Sequence, residues 1–282
     1  MAYLEKMIFN LNLRQRFDGF FIKDTKETVM LEESTVNAIR IVKFKNGKTN
    51  PINLKILQRL KEIVDEANEN PDLKGIVLTG EGRFFSSGFD LPIFINFKAP
   101  EEAHEFFDFE EEVLLSLFTC KKPVVSAING HAVAGGLIYS MAADYRIVKN
   151  HPKIKIGMSE IKIGLPLTFA QDEIMRFGFD SALKFRDVMF FGNMYNVNQA
   201  LEMKLVDEIV EEDRLIERAL EIVSAWIDTP NRPFIRMKQL LKMDTAARIR
   251  KKLDEEEWHE GLNCFFRDDV RKTLEFVQAS MQ

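Results

Sequence analysis

Two short, uninterrupted apolar runs decide the fold class: residues 75–79 (GIVLT) and 124–128 (VVSAI). Neither alternates polar with apolar side chains, so neither has a face to offer to water. Each reads as a strand buried on both sides, the signature of a parallel sheet covered by helices. The surrounding segments agree. Residues 36–44 (VNAIRIVKF) form an imperfect alternation rich in β-branched residues, read as one strand. Asn46, Gly47 and Pro51 break the chain, and Asn53 opens a helix whose Ile56, Leu57, Leu60, Ile63, Val64 and Ala67 fall on one face. Asn70-Pro71 ends it. A Glu-rich helix over 101–119, a small-residue helix opened by Gly135-Gly136 and running to about Ala143, and a strand over 145–148 continue the pattern. Beyond about residue 168 the periodicity predicts helices only, near 168–177, 181–189, 197–204, 212–227, 234–242, 244–258 and 264–279. The chain is therefore an α/β core followed by a helical C-terminal region.

Composition excludes some functions. Forty-four acidic against 39 basic residues argue against bulk nucleic-acid affinity. The basic residues Arg248, Arg250, Lys251 and Lys252 run straight into acidic residues 254–257, the pattern of a charge-paired exposed helix. Two cysteines build neither a disulfide framework nor a metal set. With no signal peptide and no apolar run long enough to span a bilayer, a cytoplasmic protein is expected, or a mitochondrial matrix one in a eukaryote. The bias that stands out is 24 Phe against 4 Tyr and 2 Trp. Phe brings apolar area with no polar handle, suited to a core, an apolar pocket or a subunit interface.

The familiar catalytic signatures are missing. No G-x-S-x-G, complete dinucleotide fingerprint, P-loop or H-E-x-x-H occurs, so no metal and no redox cofactor is expected. Three glycine-bearing segments remain, each after a strand-like run: 80–91 (GEGRFFSSGFDL), 127–144 (AINGHAVAGGLIYSMAAD) and 155–166 (KIGMSEIKIGLP). Ligands of βα folds gather at such loops. Each taken singly could equally be a tight turn that needs glycine for its backbone.

Taken together, these segments resemble the crotonase (enoyl-CoA hydratase/isomerase) superfamily. The family's F-[SA]-[SA]-G-x-D-[LI] stretch stands as Phe85-Ser86-Ser87-Gly88-Phe89-Asp90-Leu91, and its A-x-x-G-x-x-x-G-G stretch runs from Ala127 to Gly136. Ala143-Asp144-Tyr145-Arg146-Ile147 matches the C-D-x-R-I turn. Residues 200–210 match the later tail, with Lys204 where glycine is usual. The resemblance implies an α/β crotonase fold, a ClpP-like spiral of repeated ββα units with a helical C-terminal trimerisation region. It divides the chain into an N-terminal extension (1–35) that adds an edge strand or an arm, a core with the acyl-CoA site (36–210) and a helical region (211–282). A homotrimer, or a hexamer of paired trimers, is implied, with coenzyme A entering as part of the substrate rather than as a cofactor.

The resemblance also implies a mechanism. Backbone N–H groups of Phe89 and Gly135 would stabilise an oxyanion on the thioester. Ser87, Gly88, Asp90, Leu91, Gly136, Ile138, Phe94 and Phe266 would contact substrate. Arg83 and Lys98 are candidates for the coenzyme phosphates. Hydratases of this family carry two carboxylates. The first of those positions is Ile138 here, and the second is Glu160. Adding water uses two carboxylates, whereas moving a double bond from C3 to C2 needs one base that returns its proton at C4. A lone glutamate within I-G-x-x-E-x-x-x-G, with an apolar residue at 138, is similar to the mitochondrial-type Δ3,Δ2-enoyl-CoA isomerases. Other reactions of the superfamily (hydration, thioester hydrolysis, decarboxylation) and an RNA-binding relative are the alternatives.

Overall fold

A computed structural model describes residues 30–281; residues 1–29, most of the N-terminal extension, lie outside it. Six strands form the main sheet in the order β1-β2-β3-β5-β7-β10, with β1 at Leu31–Val36, β2 at Ile39–Phe44, β3 at Gly75–Gly80, β5 at Val124–Ile128, β7 at Tyr145–Lys149 and β10 at Glu208–Val210. Within this sheet only β1 and β2 pair antiparallel. A smaller sheet, β4-β6-β8-β9, is made of Phe84–Ser86, His131–Val133, Ile156–Gly157 and Met194–Tyr195. The helices are α1 (Leu54–Glu69), α2 (Leu91–Ile95), α3 (Pro100–Phe118), α4 (Gly135–Met141), α5 (Phe169–Gly178), α6 (Ala182–Phe191), α7 (Val197–Glu202), α8 (Leu215–Ile227), α9 (Pro233–Leu253) and α10 (Asp268–Met281).

Three times the chain passes from a main-sheet strand to a small-sheet strand and then into a helical turn: β3-β4-α2, β5-β6-α4, and β7-β8 followed by the 3₁₀ turn Glu160–Ile163. This is the ββα repeat expected from the sequence. It delivers the ends of β4, β6 and β8 side by side, because those strands are neighbours in the small sheet.

Local sequence explains the elements. Asn53 caps α1, its side chain accepting from Ile56 N at 3.1 Å. All six apolar residues expected on the inner face of α1 are buried. The main sheet is covered on both sides. α8 lays Leu215, Ala219, Ile222, Val223 and Ile227 against Ile39, Ile41, Val77, Val125, Ala127 and Ile147. The larger core on the other side includes buried residues of α1, α3, α4 and α5. Among the described residues no helix is long and apolar enough to cross a membrane.

Three expectations needed correction. Residues 36–44 are not one strand: Asn37 and Ala38 both have positive φ (51° and 63°) and turn the chain into a β1–β2 hairpin. Such turns need left-handed residues, which Asn tolerates well and Ala poorly, so the signal is weak in sequence. Residues 234–258 are not two helices: α9 is continuous to Leu253, with no Gly or Pro to break it. The segment Glu256–Phe266 is 3₁₀, and the last helix begins at Asp268 rather than 264.

One buried ionic cluster ties the C-terminal helices to the core. Asp144, just before β7, is held by Lys238 Nζ at 2.5 Å and Lys242 Nζ at 2.7 Å, both from α9. The lysines also donate to the carbonyls of Lys122 (2.9 Å) and Phe118 (3.0 Å). Asp144→Asn would leave two buried ammonium groups without a counter-charge. It is expected to lower stability by about 3–5 kcal/mol, read as a lower urea midpoint; an unchanged midpoint would contradict this account.

Candidate active site

The first wall of the site is the turn after β4. Asn50, fully buried, donates through its amide to the carbonyls of Glu81 (3.0 Å) and Phe84 (2.8 Å). Ser86 Oγ donates to Asn50 O (2.8 Å) and accepts from Gly88 N (3.1 Å). A single parallel bridge follows, Ile52 N to Gly88 O (2.8 Å) and Asp90 N to Ile52 O (2.9 Å). In a parallel bridge the residues either side of the partner make the bonds, so Phe89 N–H is left over. The second donor arises at the start of α4. Leu137 N and Ile138 N bond to Ala134 O, while Gly135 N is one of the helix's first, intrinsically unpaired groups. Among the described residues, neither Phe89 N–H nor Gly135 N–H donates to any protein acceptor.

The two donors sit side by side because glycines bring their backbones together. A methyl group on Gly88 would lie 2.9 Å from Gly135 N, and one on Gly135 would lie 3.0 Å from the Phe89 ring. Gly88 also has φ +96°, a conformation side chains resist. Ala134 pays for its place with φ 57° and ψ −132°, a region mostly left to glycine.

Glu160 approaches from β8. Ala134 N donates to Gly157 O at 3.1 Å, tying β8 to the end of β6. Three residues later, Glu160 opens the 3₁₀ turn that Gly164 closes at φ +77°. Its Oε2 accepts from Ser159 N at 2.8 Å. Burial pushes the carboxyl up to about 7, outweighing the backbone hydrogen bonds that favour the charged form.

These walls enclose a cavity of about 360 Å³ lined by Ser87, Phe89, Leu91, Phe94, Ala134, Ile138, Glu160 and Gln171, among others. Glu160 is the single carboxylate on its lining among the described residues. Rings make much of the rest. Phe94 contacts Phe265 at 4.9 Å and Phe89 at 5.7 Å between centroids, and Phe107 stacks on Phe265 at 5.3 Å. A second cavity, about 530 Å³, shares Glu160, Leu165 and Pro166 with the first.

The residues singled out in the sequence largely converge. Ser87, Phe89, Leu91, Phe94, Ile138 and Glu160 line the cavity. Gly88, Gly135 and Gly136 stand behind the lining. Gly136 packs so closely on Ser86 that an added methyl would be 2.4 Å from its carbonyl oxygen. Asp90 does not line the cavity; it is half-buried, and desolvation raises its carboxyl. Phe266 is not on the lining either: its neighbour Phe265 is, while Phe266 lies under the Arg271 guanidinium. Arg83 and Lys98 are exposed away from the cavity; Lys162 is the cation on its lining. The basic run in α9 is paired internally, Arg248 with Glu173, Arg250 with Glu112 and Lys252 with Glu255. Sequence reasoning missed Asn50 and Gln171. The loop signal at 46–51 singled out Asn46, Gly47 and Pro51 and passed over Asn50; nothing marked Gln171.

The chain is similar to several known proteins. Rat mitochondrial enoyl-CoA delta isomerase 1 is 26% identical over 253 residues, 89% of this chain and 86% of its own. The human form is 25% identical over 252 residues, 88% of this chain and 82% of its own. The crystal structure of human mitochondrial Δ3,Δ2-enoyl-CoA isomerase has the same fold, with TM-score 0.80, 23% identity and coverage of 89% of this chain and 98% of that one. An apo enoyl-CoA isomerase of Mycobacterium tuberculosis superposes with TM-score 0.71 at 26% identity, over 80% of this chain and 96% of its own. Residues 34–274 match the enoyl-CoA hydratase/isomerase family, and the chain is a member of that family, an enzyme of the crotonase superfamily.

Proposed function

We propose that this enzyme converts 3-enoyl-CoA to 2-enoyl-CoA, with Glu160 as the sole acid–base group. The observation that carries this reading is the cavity and its wall: one carboxylate on the lining, the unpartnered N–H groups of Phe89 on the lining and of Gly135 just behind it, and Ile138 where a second acid would stand. The thioester carbonyl oxygen would sit between Phe89 N–H and Gly135 N–H. Ionised Glu160 takes a proton from C2, and the electrons move through the C3–C4 double bond system to give a dienolate. The two N–H groups hold the negative oxygen, a role in which one donor is worth about 3 kcal/mol. The same carboxylic acid then protonates C4, leaving the double bond between C2 and C3. Coenzyme A is part of the substrate in this scheme and no further cofactor takes part.

Physical chemistry supports the choice of one glutamate. A base raised to about 7 is both a competent acceptor and a competent donor near neutral pH. Phe89, Phe94, Phe107 and Phe265 keep the surroundings apolar, which both raises that carboxyl and discourages water from adding to the product. A hydratase would have to hold, deprotonate and deliver water, and Ile138, 1% exposed, offers nothing for that work.

Assays with 3-enoyl-CoA against 2-enoyl-CoA test the reading directly. Glu160→Gln is expected to reduce isomerisation by about 10²–10⁴-fold while acyl-CoA binding persists; retained turnover would sink the assignment. Because the base acts ionised, kcat/KM should rise with pH through about 7 and level above it. The same carboxyl has a stability signature. Its folded-state affinity for the proton exceeds the unfolded one, so stability is lost as pH rises from the ordinary carboxylate value to about 7. Glu160→Gln should therefore melt several degrees above the parent at pH 8 and level with it near pH 4, measured by thermal unfolding. Finally, Ile138→Glu should introduce measurable hydration of 2-enoyl-CoA; a folded variant without it would weaken the one-carboxylate argument.

A further inference from the structure

Behind one wall of the cavity runs a buried polar chain that the proton shuttle does not use. Glu110 of α3 has no exposed surface. Tyr139 Oη of α4 donates to its Oε1 (3.2 Å), and Gln171 Nε2 of α5 donates to its Oε2 (2.9 Å). Gln171 Oε1 is committed as well, accepting from Thr168 N at 3.3 Å in the capping box of α5. The adjacent Glu111 accepts from Thr168 Oγ1 (2.5 Å) and Ala170 N (2.6 Å), fixing the same helix start. Of the three linked side chains, Gln171 is the one that lines the cavity, together with Glu160, Phe89 and Ile138.

An amide nitrogen has two hydrogens. One is spent on Glu110; the other has no acceptor among the described residues. Burying three polar groups in an apolar core lowers stability unless each is partnered, and the second amide hydrogen belongs to the one side chain of the network that lines the cavity. Burial, then the neighbouring Glu111, holds the Glu110 carboxyl well above its usual range. The one side chain of this network on the lining, Gln171, is an uncharged amide, so the network offers the cavity a dipole rather than a charge, which suits a neutral acceptor.

We propose that Gln171 determines specificity: its spare amide N–H, aimed by Glu110, receives a neutral oxygen on the acyl chain, so that the preferred thioester carries a hydroxyl or carbonyl group beyond the reacting carbons. This rests on the reading of the cavity as an acyl-CoA site. A site built to hydrogen-bond an oxygen discriminates strongly against the analogue that lacks it, because its own buried donor is then unpaired. Glu110 acts through Gln171 and is a positioning residue.

Binding, not turnover, is the clean readout. Decanoyl-CoA and decanoyl-CoAs bearing one hydroxyl at successive carbons beyond C4 are titrated into the intact wild-type protein by calorimetry. At least one hydroxylated chain is expected to bind about tenfold tighter than the saturated one. Gln171→Leu should abolish that preference while still binding decanoyl-CoA. Glu110→Leu should shrink it, and Glu110→Gln, which keeps an acceptor, should retain it. The inference is overturned if the saturated chain binds as tightly as every hydroxylated one, a result that needs no variant to fold, or if the preference survives Gln171→Leu. If none of the thioesters binds, the acyl-CoA reading itself falls and takes this inference with it.

Discussion

The contact between the Gly88 turn and the Gly135 helix start is the constraint on which the site depends. The two backbones come so close that a methyl group on Gly88 would meet Gly135 N at 2.9 Å, and one on Gly135 would crowd the Phe89 ring at 3.0 Å. What presses them together lies further out: the buried amide of Asn50, the hydroxyl of Ser86 and the single bridge from Ile52. The bond from Ala134 N to Gly157 O then sets the third strand end, and with it Glu160, against the same space. The two free N–H groups and the Glu160 carboxyl are thus referenced to one another through a few hydrogen bonds around neighbouring strands of the small sheet. For the proposed reaction such an arrangement would be preorganised, with nothing to rearrange when charge develops.

The buried acids of this chain are handled in two opposite ways. Burial alone would raise Asp144, yet Lys238 and Lys242 outweigh it and hold its carboxyl below the ordinary range. Glu160 has no such counter-charge, only backbone donors, and is pushed up to about 7. The difference fits the role proposed for Glu160: a permanently ionised group can fasten a helix, whereas a group proposed to carry a proton has to be able to exist in both forms.

Much of this was legible in the sequence, for reasons that can be named. The buried strands β3 and β5 are unbroken apolar runs, and α1 repeats every three to four residues, so period and length identified them. The loops that build the site were visible because their glycines occur at fixed spacing between those strands. The small sheet was not visible. Its strands are two or three residues long and lie inside those same loops, too short for any period to register. The β1–β2 turn was hidden because Ala38 adopts a conformation its side chain does not advertise. Phe265 rather than Phe266 reaches the cavity, in a segment that is 3₁₀ where an α-helix is expected from the sequence. Gln171 and Glu110 are 61 residues apart and meet only after α3 and α5 pack; no local pattern could pair them.

The position of α8 has a consequence for how the chain reaches this fold. The centre of one face of the main sheet is apolar, and its cover comes from residues 215–227, after every strand of that sheet has been synthesised. The fit is close: a methyl group on Gly75 would lie 2.5 Å from the Val223 side chain. A nascent chain emerging from the ribosome therefore carries β1, β2, β3, β5 and β7, complete by residue 149, with a bare hydrophobic flank until the last quarter of translation. Such surfaces are what chaperones grip and what aggregates share. The helix that touches no part of the catalytic cavity lining is thus the element whose late arrival decides whether the newly made protein stays in solution long enough to become an enzyme.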